Sequence, residues 1–422
     1  MSEVRPLRRS WWSRLRIPVL VLAVSLAGAA AVTLSREYIH GHRLVRDDID
    51  RGAYYDRGSF VLTPGARPYR DVFSEYPQLA TYLFALPHLP ALPRGLAQKT
   101  YMDVFTALMA LALFALAVVW RALARDLGVD ERRGLLLLLP GTLYFTLNRY
   151  DVVPALFSLC AIALLLRRRV VLAHSVLAVA VLMKAYPLTY LPLFAAFSLR
   201  RWGWRKALAG VAASGAVLVA FSVQLGLWSG WTSVAAPYLW QLGRDYNFES
   251  LYYLLSRRSA ALQAALKPTF LLIQAALPAV AAVLRPASAR ALVRWATAIT
   301  IVFVLFTRFQ SPQWVIWITP LALLGAATPA ETALAVAQDV LAYVYFPLVF
   351  DSSLGALALP LTLWVLTLVR LALAGLLLRD PEQILTRRRA AEAPPAARAC
   401  GAPEASEAGS RVASAGGARG HS

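Results

Sequence analysis

Apolar residues run along this chain in long, nearly unbroken blocks, not at the spacing of a half-buried strand or a one-faced helix. Blocks fall at 17–34, 101–120, 134–147, 152–166, 170–183, 188–199, 207–227, 268–284, 291–306, 313–324, 332–350 and 355–378. A helix that is apolar on all sides belongs in lipid or in a deep core. The blocks predict an all-α polytopic membrane protein with about twelve transmembrane helices, since roughly 20 apolar residues cross a bilayer and fewer serve where a span is broken. The gaps between blocks alternate in character. Arg121, Arg125, Arg132 and Arg133 fill one gap, and Arg167, Arg168 and Arg169 fill the next of the same kind. Arg200, Arg201, Arg205 and Lys206 follow, then Arg285, Arg290 and Arg294, then Arg379, Arg387, Arg388 and Arg389. Basic loops mark the cytoplasmic side, so both termini are expected there. Small residues at 27–31 raise a cleaved signal peptide as an alternative for the first block, but an uncleaved first helix keeps the alternation consistent.

Composition agrees with the pattern. Of 422 residues, 59% are apolar and 16% are charged, against about 45–50% and about 25% in soluble domains. A formal charge of +20 in a soluble chain would suggest nucleic acid. Here the arginines sit in short groups between apolar blocks, with no basic stripe interleaved with aromatics, so no nucleic-acid partner is expected. Cys160 and Cys400 have no metal-type spacing and lie in unlike surroundings, so neither a metal site nor a disulfide is expected. The expected organisation is a basic cytoplasmic N-terminus (1–16), a transmembrane domain (17–378) with a long first outer loop (35–100), and a basic tail (379–422). The tail is rich in Ala, Gly, Ser and Pro and is expected to be disordered.

The remaining gaps, on the expected outer side, carry varied polar chemistry. The loop 35–100 holds Asp47, Asp48, Asp50, Asp56, Asp71 and Glu75, with seven arginines from Arg36 to Arg70, together with Tyr76. After Pro77 the stretch 78–89 is too short for a span and is expected to lie at the outer surface as an amphipathic or re-entrant helix. The other outer turns read Asn148-Arg149-Tyr150-Asp151, Lys184-Ala185-Tyr186-Pro187, a longer loop with Arg244, Asp245, Asn247 and Glu249, and Arg308-Phe309-Gln310-Ser311-Pro312-Gln313. Polar groups at membrane depth are costly and usually mark a site. Lys184 is the only lysine inside the apolar body as drawn above. A snorkelling lysine and a structural salt bridge at Arg149 and Asp151 are the plain alternatives, but five outer loops carry such groups together.

Carboxylates can act as general bases toward a hydroxyl, and lysine or arginine can hold a phosphate as it leaves. With a groove for a lipid tail, this chemistry suits glycosyl transfer from a lipid-phosphate sugar. Neither a G-x-x-x-x-G-K-[ST] loop nor a Rossmann glycine fingerprint is present, so a nucleotide-driven mechanism has no seat. Lys184, Arg308 and Arg149 each close an outer helix end and are the expected donor-phosphate ligands.

Gly65-Ala66-Arg67-Pro68-Tyr69-Arg70-Asp71-Val72, followed by Glu75-Tyr76-Pro77, resembles the first-outer-loop signature of bacterial glycosyltransferase family 87. That family consists of polyprenyl-phosphate-dependent enzymes of the GT-C superfamily. Arg149-Tyr150-Asp151 with Pro154, Lys184-Ala185-Tyr186-Pro187 with Pro192, and Ser311-Pro312-Gln313 with Trp317 and Pro320 resemble further blocks in the same order. Gln78 departs from the pattern, standing where a second proline is common. The resemblance implies a GT-C-like bundle with short amphipathic helices in its first outer loop. It also implies an inverting transferase of mannose or a similar sugar, with its site facing outward and a lipid or cell-envelope glycan as acceptor.

A catalytic aspartate of the first outer loop, a few residues before a tyrosine, is part of what the resemblance implies. Asp50, ahead of Tyr54, fits that spacing, and Asp48, followed by Ile49, fits the local character, so both are carried. Tyr186 and Gln313 join the substrate-binding group through their blocks. Arg70, Asp71, Glu75, Tyr76, Asp151 and Glu249 are expected to shape the loops or touch substrate, Asp71 and Glu75 by pairing with Arg67, Arg70 or backbone amides. No cofactor is expected, although Asp47, Asp48 and Asp50 are grouped closely enough to consider a divalent ion. A flippase or transporter of lipid-linked saccharides would place polar groups at mid-membrane and show repeats. An O-antigen ligase or polymerase would share this composition.

Overall fold

The computed structural model describes residues 11–379 apart from 93, 257–258 and 353–354. The compact unit Met1–Asp380 contains all of them, and the second unit, Pro381–Ser422, lies outside the described residues, as do the expectations for the tail and for Cys400. Among the described residues there is no strand.

Sixteen α-helices are described: α1 (Trp11–Leu34), α2 (Asp48–Val61), α3 (Gln78–Ala85), α4 (Gln98–Asp126), α5 (Pro140–Asn148), α6 (Val152–Leu166), α7 (Val170–Met183), α8 (Leu191–Trp202), α9 (Trp204–Ser229), α10 (Trp231–Gly243), α11 (Leu251–Ser256), α12 (Ala260–Leu284), α13 (Ala289–Leu305), α14 (Val315–Gly325), α15 (Pro329–Tyr343) and α16 (Gly355–Leu377). Each of the twelve apolar blocks is helical. Six helices among the described residues are long and apolar enough to cross a membrane, and α5 with α6, bent by 113°, would make a seventh. The expected count of about twelve crossings is not reached on length and composition, because several blocks are broken into short helices.

Proline supplies the breaks. Its ring clashes with the carbonyl four residues back and it has no N–H to donate. Pro154 therefore prevents α5 from running on through Tyr150, and the chain bends at 149–151. Pro187 stands in a 3-10 turn (Tyr186–Tyr190) between α7 and α8, and Pro312 opens another (Pro312–Trp314) before α14. All three breaks lie at the same end of the bundle. The opposite end carries the arginine-rich turns between α6 and α7 and between α8 and α9.

The bundle packs α6 against α4 and α7, α7 against α9, α1 against α4, and α13 against α14 and α16. The core is continuous across these contacts and includes Trp120, Leu113, Ile162, Leu177, Ile316 and Trp317. Two buried carboxylates fix helix ends within it. Glu331 caps the start of α15 and pairs with Arg294 of α13 at 2.9 Å, while Arg294 also donates to the carbonyls of Gly325, Leu376 and Leu377. Asp339 of α15 accepts from the amides of Gly141 and Thr142 and from the hydroxyls of Thr142 and Thr319. It thereby satisfies first-turn donors of α5, which have no partner within their own helix.

The first long loop folds into α2 and α3. Arg51, Tyr54 and Gly58 line one buried face of α2, as their spacing of three and four requires. The short helix expected after Pro77 is present as α3. It packs against α2 and α7 with Gln78, Ala80, Thr81, Phe84 and Ala85 buried. Gly58 permits this approach: a Cβ there would stand 2.1 Å from the Phe84 carbonyl oxygen. A correction concerns Lys267. The helix expected from 268 begins at Ala260, so Lys267 lies within α12, whereas Lys184 follows α7 as its C-cap residue.

Candidate active site

At the end where the prolines break the helices, four stretches meet around buried charges. Asp47 is the N-cap of α2 and its side chain accepts from the Ile49 amide. It is fully buried, and a buried charge needs a partner. Arg149, in the break between α5 and α6, supplies it by pairing with Asp47 Oδ2. Arg43 stands behind at 3.8 Å. Burial alone would raise the Asp47 carboxyl, but the Arg149 and Arg43 guanidiniums hold it below the usual carboxylate range. Asn148 completes the junction: its Oδ1 accepts from the Asp47 amide at 2.9 Å and its Nδ2 donates to Val45 and Tyr144 carbonyls.

The two candidate bases differ sharply in surroundings. Asp48 is held by Arg46, which reaches both its oxygens and comes to 2.7 Å of Oδ2, and by Arg51 at 2.5 Å from Oδ1. Asp50 meets only Arg149, Nε to Oδ2 at 2.7 Å, and its side chain is 30% exposed. Among the described residues Asp50 Oδ1 has no protein partner. Arg149 Nε also donates to Gln313 Oε1 at 2.9 Å, which brings the fifth outer loop to the same point. No group of three His, Cys, Asp or Glu side chains suited to a metal is found among the described residues. Asp47, Asp48 and Asp50 each turn to arginines instead.

Lys184 lies next to this junction. Its ammonium is 3.1 Å from Asp151 Oδ1 and faces the rings of Tyr150, Trp317 and Tyr76 at 4.7, 5.5 and 5.6 Å. Such ring faces attract a cation. Tyr186 stacks on Trp317 with centroids 4.1 Å apart and meets Ser158 through its hydroxyl, so it supports the cage and is itself buried. Glu75 pairs with Arg57 at 2.5 Å, not with Arg67 or Arg70. Tyr76 packs edge-on against Tyr54, Phe84 and Tyr150.

Three expected residues stand apart. Arg308 donates to the Leu242 carbonyl at the end of α10 and does not join Lys184 and Arg149. Arg70 and Asp71 are exposed, and Asp71 closes its own turn on Arg67 at 3.2 Å. Glu249 is reached through Asn247, which donates to Glu249 Oε2 at 2.7 Å and to the Gln310 carbonyl. Burial, and then the nearby Asp50 charge, push the Glu249 carboxyl up to about 8.

Two contributors were not singled out from the sequence. Arg43 binds Asp351 through its amide and guanidinium, at 2.6 Å for the closest pair, which ties the chain after α15 to the first loop. The only hint was an isolated acid at the end of the block 332–350. Arg244 lies over Trp240 at 4.5 Å, has no side-chain hydrogen bond or ion pair among the described residues, and feels the charges of Glu75 and Asp50. Its Trp-x-x-x-Arg spacing on α10 was the available signal.

A family model described as mannosyltransferase (PIG-M) matches residues 145–368. The chain belongs to this family. It is a multi-pass membrane glycosyltransferase, of the GT-C superfamily expected above; family 87 in particular is not the family matched. The matched residues include Arg149, Asp151, Lys184, Glu249 and Gln313 but not the loop that carries Asp48 and Asp50. Among curated proteins none matches. Among solved structures the chain is similar to ArnT from Cupriavidus metallidurans bound to undecaprenyl phosphate, at 18% identity and a TM-score of 0.48, over 85% of this chain and 75% of that one.

Two outcomes follow from this geometry. Arg149→Leu leaves Asp47 buried and charged, which should cost about 3–5 kcal/mol and lower the unfolding temperature in detergent. Adding Asp47→Asn should recover part of that loss, and strictly additive losses would refute the pairing. Glu249 is proton-bound in the fold at pH values where the unfolded chain has released the proton. Its contribution to stability should therefore fall as pH rises from about 4.5 through about 8. Unfolding temperatures across that range should decline less in Glu249→Gln than in the wild type.

Proposed function

We propose that this mannosyltransferase-family protein takes its sugar, mannose or a close relative, from a polyprenyl-phosphate donor and passes it to a lipid or envelope-glycan acceptor. One observation carries the reading: Asp50, a partly exposed carboxylate with one unpaired oxygen, is oriented by a buried arginine beside a caged lysine, at one end of an apolar bundle. Asp50 Oδ1 takes the proton from the acceptor hydroxyl. The hydroxyl oxygen attacks the anomeric carbon from the face opposite the phosphate, the bond from that carbon to the phosphate oxygen breaks, and the phosphate leaves with the electron pair. The sugar is transferred with inversion. Positive character at the sugar is stabilised by the fixed carboxylate.

Lys184 and Arg244 receive the phosphate in this scheme. Arg149 is already committed to Asp47, Asp50 and Gln313, so it orients the base. Arg308, engaged by a helix-end carbonyl, is left out, and Asp48 holds the entry to α2 through its two arginines. The lipid tail of the donor lies along the apolar flank. The family-87 resemblance of the first loop supports the donor class, as does the lack of a nucleotide-binding motif.

Purified protein with polyprenyl-phosphate mannose and membrane lipid acceptors provides the assay. Asp50→Asn should lose about 10²–10⁴-fold in turnover while still binding donor, and Asp48→Asn should stay within a few-fold. Lys184→Ala should raise donor KM about ten- to a hundredfold, the worth of a charge-assisted bond. Full activity in Asp50→Asn would overturn the assignment.

The arginine alternation supports the proposal that the site faces outward, with both termini in the cytoplasm. In a variant with Cys160 and Cys400 replaced, a cysteine at exposed Arg70 should react with an impermeant reagent on intact cells. Reaction only after lysis would reverse the orientation.

A further inference from the structure

A cavity of about 590 Å³ opens at the other end of the bundle. Helix α6 runs from one to the other: Val152 follows Asp151 at the candidate active site, and Leu166 lines the cavity. Fifteen helical residues span about 22 Å, so the cavity is no part of the site described above. Phe197 and Trp202 of α8 form its wall, and Arg167, Arg168 and Arg201 line it with one acid, Asp126. Asp126 is taken by Arg167 at 3.2 Å. Arg168 and Arg201 are exposed and make no side-chain hydrogen bond or ion pair with described residues. The lining therefore keeps a net positive charge beside an indole.

The backbone adds a second observation. Arg168 has φ of 63°, in the left-handed region that favours glycine. It closes α6 with the amide of Arg168 bonded to Leu165 and that of Arg169 bonded to Leu164, the helix ending at which glycine is usual. At the next turn on this end, between α8 and α9, the chain does use glycine, Gly203 with φ of 82°. A guanidinium is thus kept where a glycine would fold with less strain, and it lines the cavity.

We propose that this cavity binds the phosphate of an anionic phospholipid headgroup, with Arg168 and Arg201 as its ligands and Trp202 alongside at headgroup level. Guanidinium groups match phosphate bidentately, and basic pockets between membrane helices recognise anionic headgroups. The exposed apolar side chains of Val171 and Leu172, at the start of α7, continue from the rim as a path for acyl chains. The proposal is independent of the sugar chemistry at the far end.

The test uses full-length protein in phosphatidylcholine nanodiscs with phosphatidylglycerol introduced stepwise, reading bound lipid by native mass spectrometry and stability by thermal unfolding. Arg168→Gly removes the ligand and relieves the backbone. In pure phosphatidylcholine it should unfold at the wild-type temperature or above, while phosphatidylglycerol binding weakens about fivefold. Arg168→Gly with Arg201→Ala should weaken it about 25-fold. Arg125→Ala, at the same end but outside the cavity, should bind as the wild type does. Detergent-solubilised protein with inorganic phosphate separates the two sources of the ligand. Binding there that the double variant loses assigns recognition to the phosphate group alone, and no binding there assigns it to the lipid. Equal phosphatidylglycerol binding by wild type and double variant, or an equal loss in Arg125→Ala, overturns the proposal.

Discussion

The contact between Asp47 and Arg149 governs this end of the molecule. Neither charge can be left alone in an apolar bundle, so the first long loop must dock wherever the break between α5 and α6 presents its arginine. Docking brings α2 into place, and with it Asp50, one turn on. Arg149 then reaches Gln313, so the loop before α14 is gathered to the same point. Arg43 and Asp351 repeat the device nearby and hold the chain after α15 against the same loop. The candidate site is therefore assembled by compensation of buried charge, and its partly exposed carboxylate, Asp50, is left with one oxygen open.

Prolines and arginines divide the two ends between them. At one end Pro154, Pro187 and Pro312 stop helices before they would cross a bilayer, and the freed turns carry Arg149, Lys184 and Gln313. At the other end the turns are short and basic. The same division bears on why twelve apolar blocks do not give twelve long helices: several blocks, such as 170–183 and 313–324, lie between these turns and are short from end to end.

Much of this was legible from residue order alone. The all-helical membrane class, the positions of the blocks and the meeting of several polar turns follow from hydrophobic run length and from the cost of burying charge. The choice between Asp48 and Asp50 was not legible, because it depends on which arginines fold back onto each. Arg46 and Arg51 are sequence neighbours of both. The partner of Arg308 was not legible for a related reason: a cation at a helix end looks alike whether it faces a site or a neighbouring carbonyl. Arg244 was named with its loop but given no role, because nothing local announces that it turns toward Glu75 and Asp50, far away in the chain.

Gly58 has a mechanical consequence. With no side chain between α2 and the Phe84 carbonyl, these two helices touch backbone to backbone along a surface that has no play. Asp50 sits on one of them, so any displacement that widens the mouth around it must carry α3 as well. Under the proposed function, admission of an acceptor would then be a rigid-body movement of a two-helix unit, and not the swing of a single side chain or a fraying loop.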